Sequence, residues 1–244
     1  MIDKMVGKTE VALYGLAYSI GMLVQLFISG MNSALTPWMY SKIKKGDIRS
    51  MRKVLQLLSV VVVGIAVALM LISPELVLIF GSPKYREAVY VIPPVAASVF
   101  FIFIYNILSM PQFYYEKTQF LMAASMAAAG ANVVLNFIFI RLFGYIAAGY
   151  TTLACYMLYS VGHYIVSKRI LVNEGIQENL MSPGFLVACS VFLIGASIIC
   201  NLIFPYRILR YAILLASAAG LLEERTSAED DGGYSEKIKK WGRI

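Results

Sequence analysis

The 244-residue chain is 59% hydrophobic and only 14% charged. Soluble domains carry about 25% charged residues, so this composition predicts a polytopic membrane protein and excludes a soluble nucleic-acid-binding domain. The net charge of +7 is then interpreted by position along the chain, because lysine and arginine mark the cytoplasmic loops of membrane proteins.

Apolar segments and turn signals divide the chain into about seven predicted transmembrane helices and a tail. The fold class is therefore all-α integral membrane protein, with a polytopic domain over residues 1–222. A polar, flexible cytoplasmic tail is expected over residues 223–244. The predicted helices cover residues 11–40, 51–80, 86–110, 118–143, 145–166, 183–204 and 207–222.

The first predicted helix, 11–40, is uncharged but carries polar or small residues at every third or fourth position. That spacing places them on one face of a continuous helix. Lipid provides no reason for such a face, so it indicates either a hydrated cavity or a polar contact between helices. The face comprises Tyr14, Tyr18, Gly21, Gln25, Ser29, Asn32, Thr36 and Tyr40.

The later helices differ in character. The centre of 51–80 is uniformly apolar, whereas the pair Pro93-Pro94 is expected to break or kink the first third of 86–110. Helix 118–143 has a polar stripe that includes Asn132 and Asn136. In helix 145–166 the residues Thr152, Tyr156, Tyr159 and His163 are spaced four, three and four apart. Gly144 is predicted to begin a tight turn between these two helices.

Loop charges predict the orientation. If the loop after the first helix is cytoplasmic, that side of the membrane carries twice as many lysines and arginines as the other. This bias predicts an outside N-terminus and a cytoplasmic C-terminus in a multi-pass cytoplasmic (inner) membrane protein. An outside N-terminus without a signal peptide is typical of the second part of a longer protein.

The predicted spans lack the residue patterns of catalytic and metal-binding sites. No acidic residue lies in the middle of a span, and the three cysteines lack metal-ligand spacing. Paired-carboxylate catalysis, a metal site and a phosphate-binding loop are therefore not expected. The chain is predicted to be a non-enzyme without a cofactor.

The candidate substrate-path residues are polar and, with one exception, uncharged. They would either line a hydrated path that accepts sugar hydroxyls or join helices by hydrogen bonds. Arg141 either extends to the interface or pairs with an anionic head group. The candidates are Tyr18, Gln25, Ser29, Asn32, Asn106, Asn132, Asn136, Arg141 and Tyr159.

Two segments of the first helix, MVGKTEVALYGLAYSIGML and ALTPWMYSKIKKGD, resemble the polysaccharide-biosynthesis flippases. These belong to the multidrug/oligosaccharidyl-lipid/polysaccharide exporter superfamily. The resemblance extends over about residues 1–205. It rests on patterns more than on catalytic signatures, and it is carried by Gly7, Val11, Tyr14, Ala17, Tyr18, Ile20, Pro37, Trp38 and Tyr40.

The resemblance implies the C-terminal lobe of a flippase with 12–14 helices. Its substrate would be a polyprenyl-diphosphate-linked oligosaccharide, such as an O-antigen, capsule or exopolysaccharide precursor. The implied partners are the lipid bilayer, this lipid-linked oligosaccharide, and either a missing N-terminal lobe or polysaccharide assembly proteins; nucleic acid is not expected. A cation-coupled multidrug antiporter, a polytopic polysaccharide enzyme and an inactive truncated remnant are the alternatives.

Overall fold

The computed structural model describes residues 2–216, apart from the side chains of Asp3 and Lys4. Within this range the chain is almost entirely helical and contains no strand, which confirms the all-α class. The helices are α1 (Ile2–Met5), α2 (Lys8–Gly21), α3 (Leu23–Lys44), α4 (Ile48–Phe80), α5 (Ile92–Tyr114), α6 (Gln119–Phe143), α7 (Ala147–Asn173) and α8 (Pro183–Ile203).

The chain forms two compact units, of which the first is Met1–Asn201. The second unit begins at Leu202, and its residues 207–216 are helical. The remainder of the predicted helix 207–222 and the predicted tail 223–244 lie outside the described residues.

Five helical segments in the described part of the chain are long and apolar enough to cross a membrane. They are α2 with α3, then α4, α5, α6 and α8, and they match five of the predicted spans. Helix α7 is about 40 Å long at 1.5 Å per residue, but it is too polar to count among them. Several of its polar side chains are buried, namely those of Thr151, Thr152, Ser160, His163 and Ser167.

The prediction of one continuous helix over 11–40 is wrong. The segment begins at Lys8, is interrupted at Met22 and ends at Lys44. At the interruption the Gln25 N–H donates to the Met22 carbonyl at 2.9 Å, which is the three-residue spacing of a 3₁₀ turn. The polar face is thereby divided into a part on α2 and a part on α3.

Two further boundaries need correction. The segment Pro83–Tyr90 is a 3₁₀ helix, so α5 begins at Ile92 and not at residue 86. Pro93 and Pro94 therefore lie in the first turn of α5, where proline removes no intrahelical hydrogen bond, and they do not break the helix. Helix α7 continues to Asn173, well beyond the predicted end at residue 166.

Helix α5 is the centre of the first unit. It packs against α2, α3, α4 and α7 and is buried along nearly its whole length. Helix α6, by contrast, packs mainly on α7 and exposes most of its surface. The turn between α6 and α7 depends on Gly144, whose φ of 75° lies in the left-handed region that favours glycine, and this confirms the predicted tight turn.

Candidate functional site

A cavity of about 470 Å³ lies between α2, α5, α6 and α7. It is close to the midpoints of α5 and α6, and thus deep within the length of these spans. We call it the tyrosine pocket. Its described lining consists of Tyr14, Tyr18, Tyr105, Ser125, Ala128, Ala129, Asn132, Thr152, Cys155, Tyr156 and Tyr159.

Tyr105 of α5 contacts two other tyrosine rings in the wall of the tyrosine pocket. Its ring lies parallel to that of Tyr156, with a centroid separation of 6.2 Å. It also meets the ring of Tyr159 edge-on at 4.8 Å. Tyr14 and Tyr18 of α2 form a second stacked pair, with their centroids 5.8 Å apart. Such offset and edge-on geometries are the favoured ones for aromatic pairs.

Hydroxyl groups complete the wall on the side of α6 and α7. The Ser125 and Tyr159 hydroxyls are 2.8 Å apart and joined by a hydrogen bond. The Tyr14 hydroxyl on α2 interacts with the side chain of Thr152 on α7. The pocket thus presents aromatic faces and hydroxyls together, an arrangement that suits a ligand with both apolar faces and hydrogen-bonding edges.

Asn132 is held in the pocket wall by a short chain of hydrogen bonds. Its Oδ1 accepts from the Asn136 Nδ2 at 2.8 Å. The Asn136 Oδ1 in turn accepts from the Thr151 hydroxyl at 2.6 Å. This chain uses one of the two acceptor sites of the Asn132 Oδ1, so the amide N–H groups and the second acceptor site remain for a ligand.

None of the described residues that line the tyrosine pocket carries a charge. The described part of the chain likewise contains no group of histidine, cysteine and acidic residues able to hold a metal ion. The pocket therefore has the composition of a neutral binding site, and its lining does not supply a cation for a diphosphate.

Three of the predicted substrate-path residues line the tyrosine pocket, namely Tyr18, Asn132 and Tyr159. A fourth, Asn136, supports Asn132 from behind. Sequence periodicity found these residues because each lies on a polar stripe of its helix.

The other five candidates are not part of the described lining. On α3 the hydroxyls of the polar face turn back to their own backbone: Ser29 donates to the Gln25 carbonyl at 2.9 Å and Thr36 to the Asn32 carbonyl at 2.7 Å. Such bonds satisfy a hydroxyl within its own helix. The Gln25 Oε1 is buried without a hydrogen-bond partner among the described residues.

Asn106 and Arg141 also lie away from the pocket. The carbonyl of Asn106, on α5, accepts a hydrogen bond from the Ser109 hydroxyl at 2.8 Å. The exposed Arg141 guanidinium, near the end of α6, lies over the ring of Phe137 at 4.0 Å from its centroid. This stacking covers one face of the guanidinium with an aromatic ring.

The selection of candidate residues missed eight members of the lining, of which five are tyrosine, serine or threonine and the others are Ala128, Ala129 and Cys155. Tyr14 belonged to the same polar face as Tyr18, and Thr152 and Tyr156 belonged to the same stripe as Tyr159, so the periodicity that selected their neighbours also pointed to them. Ser125 lies on the same polar stripe of its helix as Asn132 and Asn136, so the same spacing pointed to it. Tyr105 had the weaker signal, because only the packing of α5 on α7 brings it to this wall.

A second, narrower crevice of about 280 Å³ follows α6 and α7 and shares Ala128, Cys155 and Tyr159 with the tyrosine pocket. An apolar groove of about 500 Å³ lies farther along the same pair of helices and includes Phe139, Phe143 and Tyr150 in its lining. Open crevices therefore border the α6–α7 pair along much of its length.

The fold and this site together define a polytopic α-helical membrane protein with an open, uncharged pocket of aromatic and polar side chains between its helices. The MatE family model matches residues 1–138, which is more than half of the chain, so the chain belongs to the MatE family. No curated protein and no solved structure matches it. Membership indicates a membrane exporter of the multidrug/oligosaccharidyl-lipid/polysaccharide exporter superfamily.

Proposed function

We propose that this exporter moves a lipid-linked oligosaccharide across the cytoplasmic membrane and that the tyrosine pocket binds the sugar portion. The observation that carries the proposal is the lining itself, in which five tyrosines stand beside serine, threonine and asparagine without a charged group. Aromatic faces pack against the C–H faces of sugar rings, while hydroxyl and amide groups hydrogen-bond to the sugar hydroxyls.

The polyprenyl-diphosphate part of the substrate would lie outside this pocket, because a diphosphate is bound by cations such as arginine and lysine. The prenyl chain would remain in the bilayer. We further propose an outside N-terminus, a cytoplasmic C-terminus, and a second lobe or assembly protein that completes the path. The activity would be transport without covalent chemistry.

An organic-cation exporter is the second candidate, and a specific observation favours it. The ring centroid of Tyr105 is 6.2 Å from that of Tyr156 and 4.8 Å from that of Tyr159. Aromatic faces grouped in this way attract cations. A carboxylate to neutralise the cation is missing from the described lining, which is why we place this function second.

Binding to the purified full chain in nanodiscs separates the two functions. One probe is a fluorescent polyprenyl-diphosphate-linked oligosaccharide, and the other is tetraphenylphosphonium, an organic cation without hydroxyl groups. The proposal expects saturable binding of the first probe, with competition by the free oligosaccharide and none by tetraphenylphosphonium. Saturable binding of tetraphenylphosphonium alone would replace it with the organic-cation function.

A further inference from the structure

His163 lies behind two residues of the tyrosine pocket. Its side chain is fully buried on α7, one turn beyond Tyr159, and it is not part of the described pocket lining. The imidazole centroid is 4.5 Å from that of Tyr159, 5.8 Å from that of Tyr105 and 5.4 Å from that of Phe120. One imidazole therefore contacts rings from α5, α6 and α7.

Gln112 of α5 holds the imidazole from the other side. Its Nε2 is 2.8 Å from the His163 Nδ1 and also donates to the Leu108 carbonyl at 3.3 Å. The bond from the Gln112 amide nitrogen to the Leu108 carbonyl favours the orientation in which this amide also donates to Nδ1 of His163. In that orientation the ring proton is on the imidazole Nε2 and the imidazole is neutral. Gln112 is itself fully buried, and the pair thus ties α5 to α7 within the core.

The buried pair of His163 and Gln112 stabilises the fold less than an apolar pair in the same position would. The Gln112 Oε1 and the His163 Nε2 are both buried without a hydrogen-bond partner among the described residues. Buried polar atoms left without partners destabilise a fold, and an apolar side chain of similar size would fill the same space without that cost. The pair therefore points to a role in the pocket that it supports.

We propose that His163 is a positioning residue for the tyrosine pocket. The neutral His163–Gln112 pair holds the rings of Tyr105 and Tyr159 in the wall, and protonation of the imidazole releases them. An imidazolium has an N–H on both nitrogens, so its Nδ1–H would face the amide N–H of Gln112. The Gln112 amide oxygen could accept a hydrogen bond from this N–H only if the amide group rotated by half a turn. That rotation would break its bond to the Leu108 carbonyl.

The imidazole is the group in this contact set that changes charge in the acidic range. Its ionisable ring neighbours are Tyr105 on α5 and Tyr159 on α7, and phenols do not ionise there. Gln112 from α5 and Phe120 from α6 do not titrate. A change in the shape of the tyrosine pocket at low pH would therefore be caused, within this contact set, by protonation of His163.

Hydroxyl-radical footprinting of the full chain in nanodiscs tests the proposal without any substrate. Mass spectrometry would measure the oxidation of Tyr105 and Tyr159 from about pH 8 to about pH 3, because a buried imidazole takes up a proton only well below the ordinary histidine range. Tyr85, in the segment between α4 and α5, serves as the reference. His163→Gln keeps a neutral hydrogen-bonding side chain, whereas His163→Leu removes the bond to Gln112.

We expect oxidation of the two pocket tyrosines to rise about twofold or more in acid, relative to Tyr85, in the unmodified chain. His163→Gln should keep the low oxidation at all pH values, and His163→Leu should show high oxidation even at about pH 8. A flat profile in the unmodified chain, or the same acid-dependent rise in His163→Gln, would overturn the proposal. If His163→Leu does not fold, the comparison with His163→Gln still decides. Because no substrate is used, failure of the proposed transport function would leave this result unaffected.

Discussion

Replacing Tyr105 by leucine removes the ring that joins α5 to the aromatic side chains of α7. The lost contacts are those with Tyr156 at 6.2 Å, Tyr159 at 4.8 Å and His163 at 5.8 Å. Each aromatic contact contributes about 0.5–1.5 kcal/mol beyond its buried area. The sum is at most about 4.5 kcal/mol, and the shared ring makes the three terms less than additive.

We expect Tyr105→Leu to weaken binding of the fluorescent lipid-linked oligosaccharide by about tenfold or more, which corresponds to about 1.4 kcal/mol. Tyr105→Phe keeps every ring contact and should weaken binding by no more than about threefold, through loss of one hydroxyl. Titration of the probe into nanodiscs that contain each variant gives both values. Thermal unfolding in the same nanodiscs shows whether each variant is folded.

Tyr114→Leu is the matched control. Tyr114 lies at the end of the same helix and packs against Tyr40 and Tyr115, away from the tyrosine pocket. The same substitution there should change stability but not probe affinity. Equal affinity of the Tyr105→Leu variant and the unmodified chain, with both folded, would refute the role of this wall in binding.

Three other predictions follow from single contacts. Asn136→Leu removes the support of the pocket asparagine and should weaken probe binding about two- to tenfold without unfolding the chain; unchanged binding would contradict it. Gly21→Ala would place a Cβ 2.5 Å from a methyl group of α5 and should lower the free energy of unfolding by about 1–3 kcal/mol. Gly15→Ala, which has open space around it, should be neutral or slightly stabilising in the same thermal-unfolding measurement. The hydrogen bond from Lys42 lowers the pKa of Asp47, which is the N-cap of α4. Because the pKa is lower in the folded state, the ionised carboxylate adds fully to the free energy of unfolding at neutral pH. That contribution is lost as the pH falls below about 3.9. Asp47→Asn should remove that part of the acid dependence of thermal unfolding, and an identical acid profile would count against the cap.

Hydrophobic patterning predicted the membrane class and most helices, because long apolar segments have few alternatives. Helices α4, α6 and α8 lie within a few residues of their predicted bounds. The interruption at Met22 was missed because the polar spacing continues through it without a change of period. The prolines of α5 were misassigned because the preceding segment, Pro83–Tyr90, is a separate 3₁₀ helix.

The candidate site was predictable only as faces of separate helices. Periodicity identified polar faces on α2, α3, α6 and α7, but it carries no information about which helices are neighbours. The face of α3 does not belong to the described pocket lining, whereas Tyr105 of the largely apolar α5 does. Likewise, the contact between Gln112 and His163 joins residues far apart in the chain, and no local pattern pairs them.

The central claim is that the tyrosine pocket binds the sugar portion of a lipid-linked oligosaccharide. Photoaffinity mapping tests this claim most directly. The probe carries a diazirine on its terminal sugar, and mass spectrometry locates the cross-links in the full chain. The account predicts labelling within residues 125–132 of α6 and 152–159 of α7, with loss of that labelling when unlabelled lipid-linked oligosaccharide competes. Competed labelling that falls entirely outside these two segments would contradict it.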